Sequence, residues 1–183
     1  MQYNKEITYL RELAKKQQEY ANKPIMKERA RLWKLHNQLK GERPMIVMEE
    51  GSFLNEILPP LVCENEACKK IEAQLMQNII AHELFDDDKV VPDTFYVDVG
   101  ISALFLGVEP KATRAHDNLG FHIEPIIETL EEDMGKLSAS VLGFDKDAFQ
   151  ANMDFANEAI GDILPPEKRI TIIYGAFRYC KGL

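Results

Sequence analysis

The chain has 183 residues, with 30 acidic and 22 basic side chains and a formal net charge of -8. That balance repels polyphosphate and leaves no basic stripe, which argues against nucleic acid as a partner. A hydrophobic content of 45% against 28% charged residues is that of a globular chain with a sizeable core and not of a disordered one.

The first twenty residues alternate charge and apolarity, without the continuous apolar stretch of a secretory signal. Nowhere does an apolar run approach the roughly 20 residues that cross a bilayer, so no membrane association is expected. Cys63, Cys68 and Cys180 are too few and too unevenly placed for a disulfide framework, which fits a reducing cytoplasm.

Residues 3–40 predict two helices separated near Asn22-Lys23-Pro24, because proline is tolerated in the first turn of a helix but not in its interior. Ile7, Leu10, Leu13 and Ala14 share a face of the first. Ile25, Arg29, Leu32, Trp33, His36 and Leu39 share one of the second. We take residues 1–41 as a helical extension that covers one end of the domain following it.

Arg43-Pro44 breaks the helical pattern. Met45-Ile46-Val47-Met48 has no polar alternation and predicts a strand buried on both faces, ending in Glu49-Glu50-Gly51-Ser52. After Leu58-Pro59-Pro60, the spacing of Ala67, Ile71, Leu75, Ile79 and Ile80 predicts a long helix over about 65–85. Asp86-Asp87-Asp88 closes it as a solvated turn, and a second extended stretch runs from Lys89-Val90-Val91-Pro92 in broken form through Phe95-Tyr96-Val97-Asp98-Val99. Strand, helix, strand is the order of a parallel sheet.

Residues 100–125 hold Gly100, Gly107, Pro110, Gly120 and Pro125 with no helical period, so a long excursion with a hairpin is expected, either a pocket wall or a passive surface loop. Asp145 caps a helix whose face carries Phe149, Met153, Ala156 and Ile160, ended by Gly161 and Pro165-Pro166. Arg169-Ile170-Thr171-Ile172-Ile173-Tyr174-Gly175 predicts another buried strand. A strand that meets a terminus where a helix should follow suggests a domain cut short.

Several segments together resemble one family: Glu28-Arg29-Ala30-Arg31-Leu32-Trp33-Lys34-Leu35-His36-Asn37, Arg43-Pro44, Glu56-Ile57-Leu58-Pro59, Cys63-Glu64 and His82-Glu83-Leu84-Phe85-Asp86-Asp87-Asp88. They look like the N-terminal portion of the uroporphyrinogen decarboxylase-like superfamily, in the branch of anaerobic bacteria that includes corrinoid-dependent methyltransferases and demethylases. The resemblance implies an α/β fold, a partial (β/α)8 TIM barrel of about three strands over residues 42–183, with its pocket at the C-terminal strand ends. Family members are longer, so this portion alone would lack a complete active site.

Porphyrinogen decarboxylases of the family carry an arginine-rich segment where this chain has Glu49 and Glu50, and two carboxylates there would repel a polyanionic tetrapyrrole. The resemblance therefore implies methyl transfer from a small methylated substrate, with a corrinoid on a partner protein. The methyltransferase branch uses one histidine and two cysteines late in the barrel to bind zinc. That grouping does not occur in these residues, so no metal ligand is assigned and zinc is expected only if a further C-terminal part supplies its ligands. One alternative is a decarboxylase of the same superfamily acting on a smaller substrate. Another is a non-catalytic interaction module that needs a partner chain to complete the barrel, and whose open sheet edges favour self-association.

The candidate catalytic residues are Glu49 and Glu50, of which at most one can face a barrel interior because neighbours on extended chain point oppositely. His116 and His122 in the excursion, and Tyr174 and Arg178 at the last strand end, are the candidate substrate-binding residues. His36 and His82 fit better as packed or surface histidines of helices, and Cys63 and Cys68, five apart, as ordinary thiols.

Overall fold

Pro24 opens a new helix at its first position, so the predicted break separates α1 (Gln2–Ala21) from α2 (Pro24–Asn37). The computed structural model describes residues 2–109, 111–114 and 120–170. It is a mixed α/β structure, about half helical, with three small two-stranded sheets and no closed barrel among the described residues. No described helix is long and apolar enough to cross a membrane. Two compact units divide the chain: Met1–Val97 with Gln150–Lys168, and a second built around Asp98–Phe149.

In the first unit, a short helix α3 (Leu54–Ile57) precedes the long helix α4 (Glu66–Leu84). Asn65 caps α4 by accepting hydrogen bonds from the Ala67 and Cys68 N–H groups at 2.9 and 3.2 Å. Its buried stripe is Cys68, Ile71, Glu72, Leu75 and Ile79. α1 lies beside α4 in the same direction. Near its start Glu6 accepts from Glu64 N–H at 3.1 Å, and toward its end Gln17 accepts from Asn78 at 3.0 Å and Tyr20 donates to Glu83 at 2.5 Å. Between these polar ends Leu10 and Ala14 are fully buried, so α1 contributes to the core as well as covering it.

The stripe of α2 is rotated from the predicted one. Met26, Arg29 and Leu32 are buried, whereas Ile25 and His36 are exposed and Leu39 is 95% exposed. Leu39 lies beyond the helix with φ +59°, which is why the helical period no longer governs where its side chain points.

Asp145 accepts from Ala148 N–H at 2.9 Å, as a cap for α6 (Lys146–Ile160) should. Ala156, Ala159 and Ile160 are buried, and the helix end is tied to α1 by Arg11, which binds Asp162 at 2.5 and 2.6 Å and the Ala159 carbonyl at 3.1 Å.

Strand β1 (Phe95–Asp98) pairs with β6 (Pro166–Arg169). Phe95 N–H donates to Pro165 at 3.0 Å and Val99 N–H to Arg169 at 2.9 Å. Both chains advance by four residues between these bonds, so the pair is parallel. The other edge of β1 is closed by a side chain: the Gln74 amide donates to the Tyr96 carbonyl at 3.0 Å and accepts from its N–H at 3.1 Å.

Two strand expectations are corrected. Met45–Met48 forms no strand, and Ile46, Val47 and Met48 are 67%, 42% and 43% exposed. Their backbone is satisfied by the acidic turn: Ile46 N–H donates to the Asp88 carboxylate and the Ile46 carbonyl accepts from Asp88 N–H, both at 2.8 Å, while Met48 N–H donates to Asp87 at 2.9 Å. Lys89–Pro92 is likewise not strand, and the ladder starts at Phe95. Among the described residues the final strand is Pro166–Arg169, entered where Phe95 N–H takes Pro165 as its acceptor; of the predicted strand Arg169–Gly175, residues 171–175 lie outside the described residues.

The second unit contains two antiparallel pairs: β2 (Ser102–Leu104) with β5 (Val141–Gly143), and the expected hairpin, β3 (Ala112–Arg114) with β4 (Phe121–Ile123). A single helical turn, α5 (Leu130–Asp133), follows, with Asp133 accepting from Glu128 and Thr129 N–H at 2.8 and 3.1 Å. Gly107 is required here, since its φ is +68° and a Cβ would fall 1.7 Å from Ser138 Oγ.

Candidate functional site

The extended run from Arg43 ends in a tight helical turn at Glu50–Ser52, which turns Glu50 inward and leaves Glu49 exposed. Of the two carboxylates only Glu50 is buried, and the helical turn, not strand alternation, places it so. Glu50, 7% exposed, forms an ion pair with Lys89 and accepts from Gln77 at 3.3 Å. Lys89 also donates to the Met48 carbonyl at 3.0 Å. Burial raises the pKa of Glu50, but hydrogen bonds from Lys89, from a backbone N–H and from Gln77 outweigh it and hold the carboxyl below its ordinary value. An ionised, fully engaged carboxylate anchors structure and is unsuited to donating a proton.

Beside Glu50 lies a cavity of about 30 Å³ lined by Asn78, Ala81, His82, Asp87 and Lys89, room for about one water molecule. His82 packs its ring on Tyr20, with centroids 4.7 Å apart, and its Nε2 lies 3.2 Å from Lys23 Nζ. It is a packed histidine of a helix, as its position predicts. His36, on the exposed side of α2, meets the Trp33 ring edge-on at 5.6 Å.

The acidic turn is not solvated surface throughout, which corrects the sequence expectation. Asp88 is 7% exposed, because the Arg43 guanidinium binds it through two bonds of 2.5 and 2.7 Å and Ile46 N–H adds a third. Those donors, Arg43 foremost, hold its carboxyl far below the usual range. Trp33 Nε1 donates to the Asp88 carbonyl at 2.8 Å and Arg29 to the Lys89 carbonyl at 3.1 Å, while Asp86 stays at the surface 3.6 Å from Arg29. Arg29, Trp33, Arg43, Asp88, Lys89 and Gln77 form this cluster. Sequence reasoning did not assemble it, because partners 27 to 60 residues apart leave no local signal.

Cys63 and Cys68 are buried free thiols. Burial first, then the neighbouring Glu72, pushes Cys63 up to about 12; burial and Glu6 push Cys68 up to about 11. Both stay protonated at neutral pH and are poor nucleophiles. Glu72, 1% exposed, accepts from the Val62 and Cys63 N–H groups at 2.7 and 2.9 Å.

Of the remaining candidates only His122 lies among the described residues. His122 lies on β4 in the second unit, exposed and in register with Thr113. His116, Tyr174 and Arg178 lie outside the described residues. In the excursion an open cleft of about 540 Å³ is lined by Val108, Lys111, Glu124, Ile126 and Lys136, with His122 outside its lining. Among the described residues no group of three or more histidine, cysteine or acidic side chains is placed to hold a metal. No family model, curated protein or solved structure matches the chain.

Proposed function

We propose that the chain is the opening part of a uroporphyrinogen decarboxylase-like barrel enzyme that moves a methyl group from a small methylated substrate to a corrinoid held by a partner protein. One observation carries this reading: residues from separate segments of the family resemblance, Arg29 and Trp33, Arg43, and Asp86 and Asp88, converge in one polar clasp. A shared pattern that reflects a shared architecture should have its patterned residues in contact.

Glu49 and Glu50 divide the work in this proposal. Glu50 is engaged by Lys89 and Gln77 and fixes the end of the segment, whereas Glu49 is exposed and is the carboxylate that would orient a substrate. The corrinoid would supply the atom that accepts the methyl group. Cys63 and Cys68 have no further histidine, cysteine or acidic side chain placed with them to complete a metal-holding group among the described residues, so no step is assigned to zinc on them.

The test is an assay of the gene product carrying these residues with methoxylated compounds, methylamines and a corrinoid protein, following the cobalt absorbance. We expect methyl transfer with at least one substrate class, slowed about tenfold or more by Glu49→Gln through lost orientation. Carbon dioxide release without cobalt would favour the decarboxylase alternative, and no methyl transfer in either direction across the panel would defeat the proposal.

The exposed row Ile46, Val47 and Met48 favours a second reading, an interaction module that docks on a partner polypeptide. Size-exclusion chromatography distinguishes it. A stable monomer at every concentration, unaffected by Ile46→Lys, speaks against docking through this row.

A further inference from the structure

The junction of α1, α2 and α4 holds a set of groups that the proposed methyl transfer does not use. Lys23, in the turn between α1 and α2, reaches His82 of α4 at 3.2 Å and at the same time lies 4.2 Å from the centre of the Tyr20 ring. An ammonium can only donate, so Nε2 of His82 must be the acceptor and the ring proton sits on Nδ1. That contact exists only for neutral imidazole. A protonated ring would set two cations 3.2 Å apart, with the Arg29 guanidinium a further cation on the α2 side.

We infer that His82 is an acid-sensitive latch: neutral, it accepts the Lys23 hydrogen bond and holds the α1–α2 turn on α4, and its protonation releases that turn. The groups facing it are all accounted for. Tyr20 of α1 stacks on the ring, Lys16 of α1 is bound to Glu83 at 2.7 Å, and Glu83 and Asp87 are the nearby anions, while Glu50 and Lys89 line the same small cavity. Glu83 is itself held below the usual carboxylate range by Lys16 and Tyr20, so it stays charged while His82 titrates and is not the switch.

Burial, then Lys23 and Arg29, lower the pKa of His82 from 6.5, and Glu83 and Asp87 offset this only in part. The released turn therefore binds more protons than the latched one between the lowered value and 6.5. The latch is at full strength above 6.5 and weakens as the pH falls through 6.5 toward the folded value. Opening should rise by up to about tenfold per pH unit across that interval.

The experiment follows the imidazole signals of His82 by NMR in the full chain from about pH 8 to pH 5, together with hydrogen exchange at the Asn22, Lys23 and Met26 amides, corrected for intrinsic rates. These amides bond within the turn to Gln18, Tyr20 and Lys23 carbonyls at 3.0, 3.1 and 2.9 Å. We expect a His82 midpoint below 6.5 and loss of protection at these amides with the same midpoint. His82→Gln retains an acceptor for Lys23 and cannot titrate in this range, so its turn should stay protected. Equal acid opening in that variant, or a His82 midpoint at or above 6.5, overturns the latch. Should His82→Gln not fold, Lys23→Met at the partly exposed turn serves instead: the midpoint must then move up toward 6.5, and an unmoved midpoint also overturns it.

Discussion

Buried carboxylates in the first unit hold backbone. Glu6 receives the N–H groups of Glu64 and Asn65, Glu72 those of Val62 and Cys63, and Asp88 that of Ile46. An irregular segment that enters a core must find partners for its peptide groups, and a carboxylate, with two oxygens and several lone pairs, can serve two donors at once. Removing one leaves buried donors without acceptors. Glu72→Ala should therefore cost about 2–3 kcal/mol in a urea unfolding experiment with an unchanged slope. A loss near zero would mean that water replaces the carboxylate, contrary to the burial of Cys63 and Glu72.

Among the elements, α4 defines where the β1 sheet stops. Its Gln74 amide occupies the Tyr96 peptide group as a neighbouring strand would, so the edge that a barrel would extend is capped from the helix. Gln74→Leu should speed exchange of the Tyr96 amide about fivefold, the loss expected for one amide hydrogen bond. The Phe95 amide, which bonds to Pro165, should not change. Acceleration of both would indicate that the substitution loosens the strand as a whole, and acceleration of neither that Gln74 does not cap this edge.

The whole molecule distributes its core unevenly. Among the described residues the fully buried apolar side chains belong to the first unit, apart from Val99 and Ile127. Each described strand of the second unit's two antiparallel pairs has three residues, and Phe121, Leu130, Met134, Val141, Leu142 and Phe144 are all more than half exposed. Short strands with little burial open easily. Hydrogen exchange should accordingly show amides of α1 and α4 protected far longer than those of β2 to β5, by about a hundredfold or more, since each difference of 1.4 kcal/mol in opening is a factor of ten. Equal protection in the two units would contradict this division.

The amino-acid order by itself determined what short-range periodicity and capping control: the break before Pro24, the extents of α1, α4 and α6, and the cap at Asp145. Each is settled within a turn or two of chain, where spacing fixes which side chains share a face. Tertiary structure alone decided that Met45–Met48 would lie along an acidic turn and not in a sheet, that Asp88 would meet Arg43, and that Glu50 would meet Lys89. An apolar run specifies only that its backbone must be paired, and the competition between a strand and a buried carboxylate is won by groups some forty residues away, whose position is set only when the helices have packed.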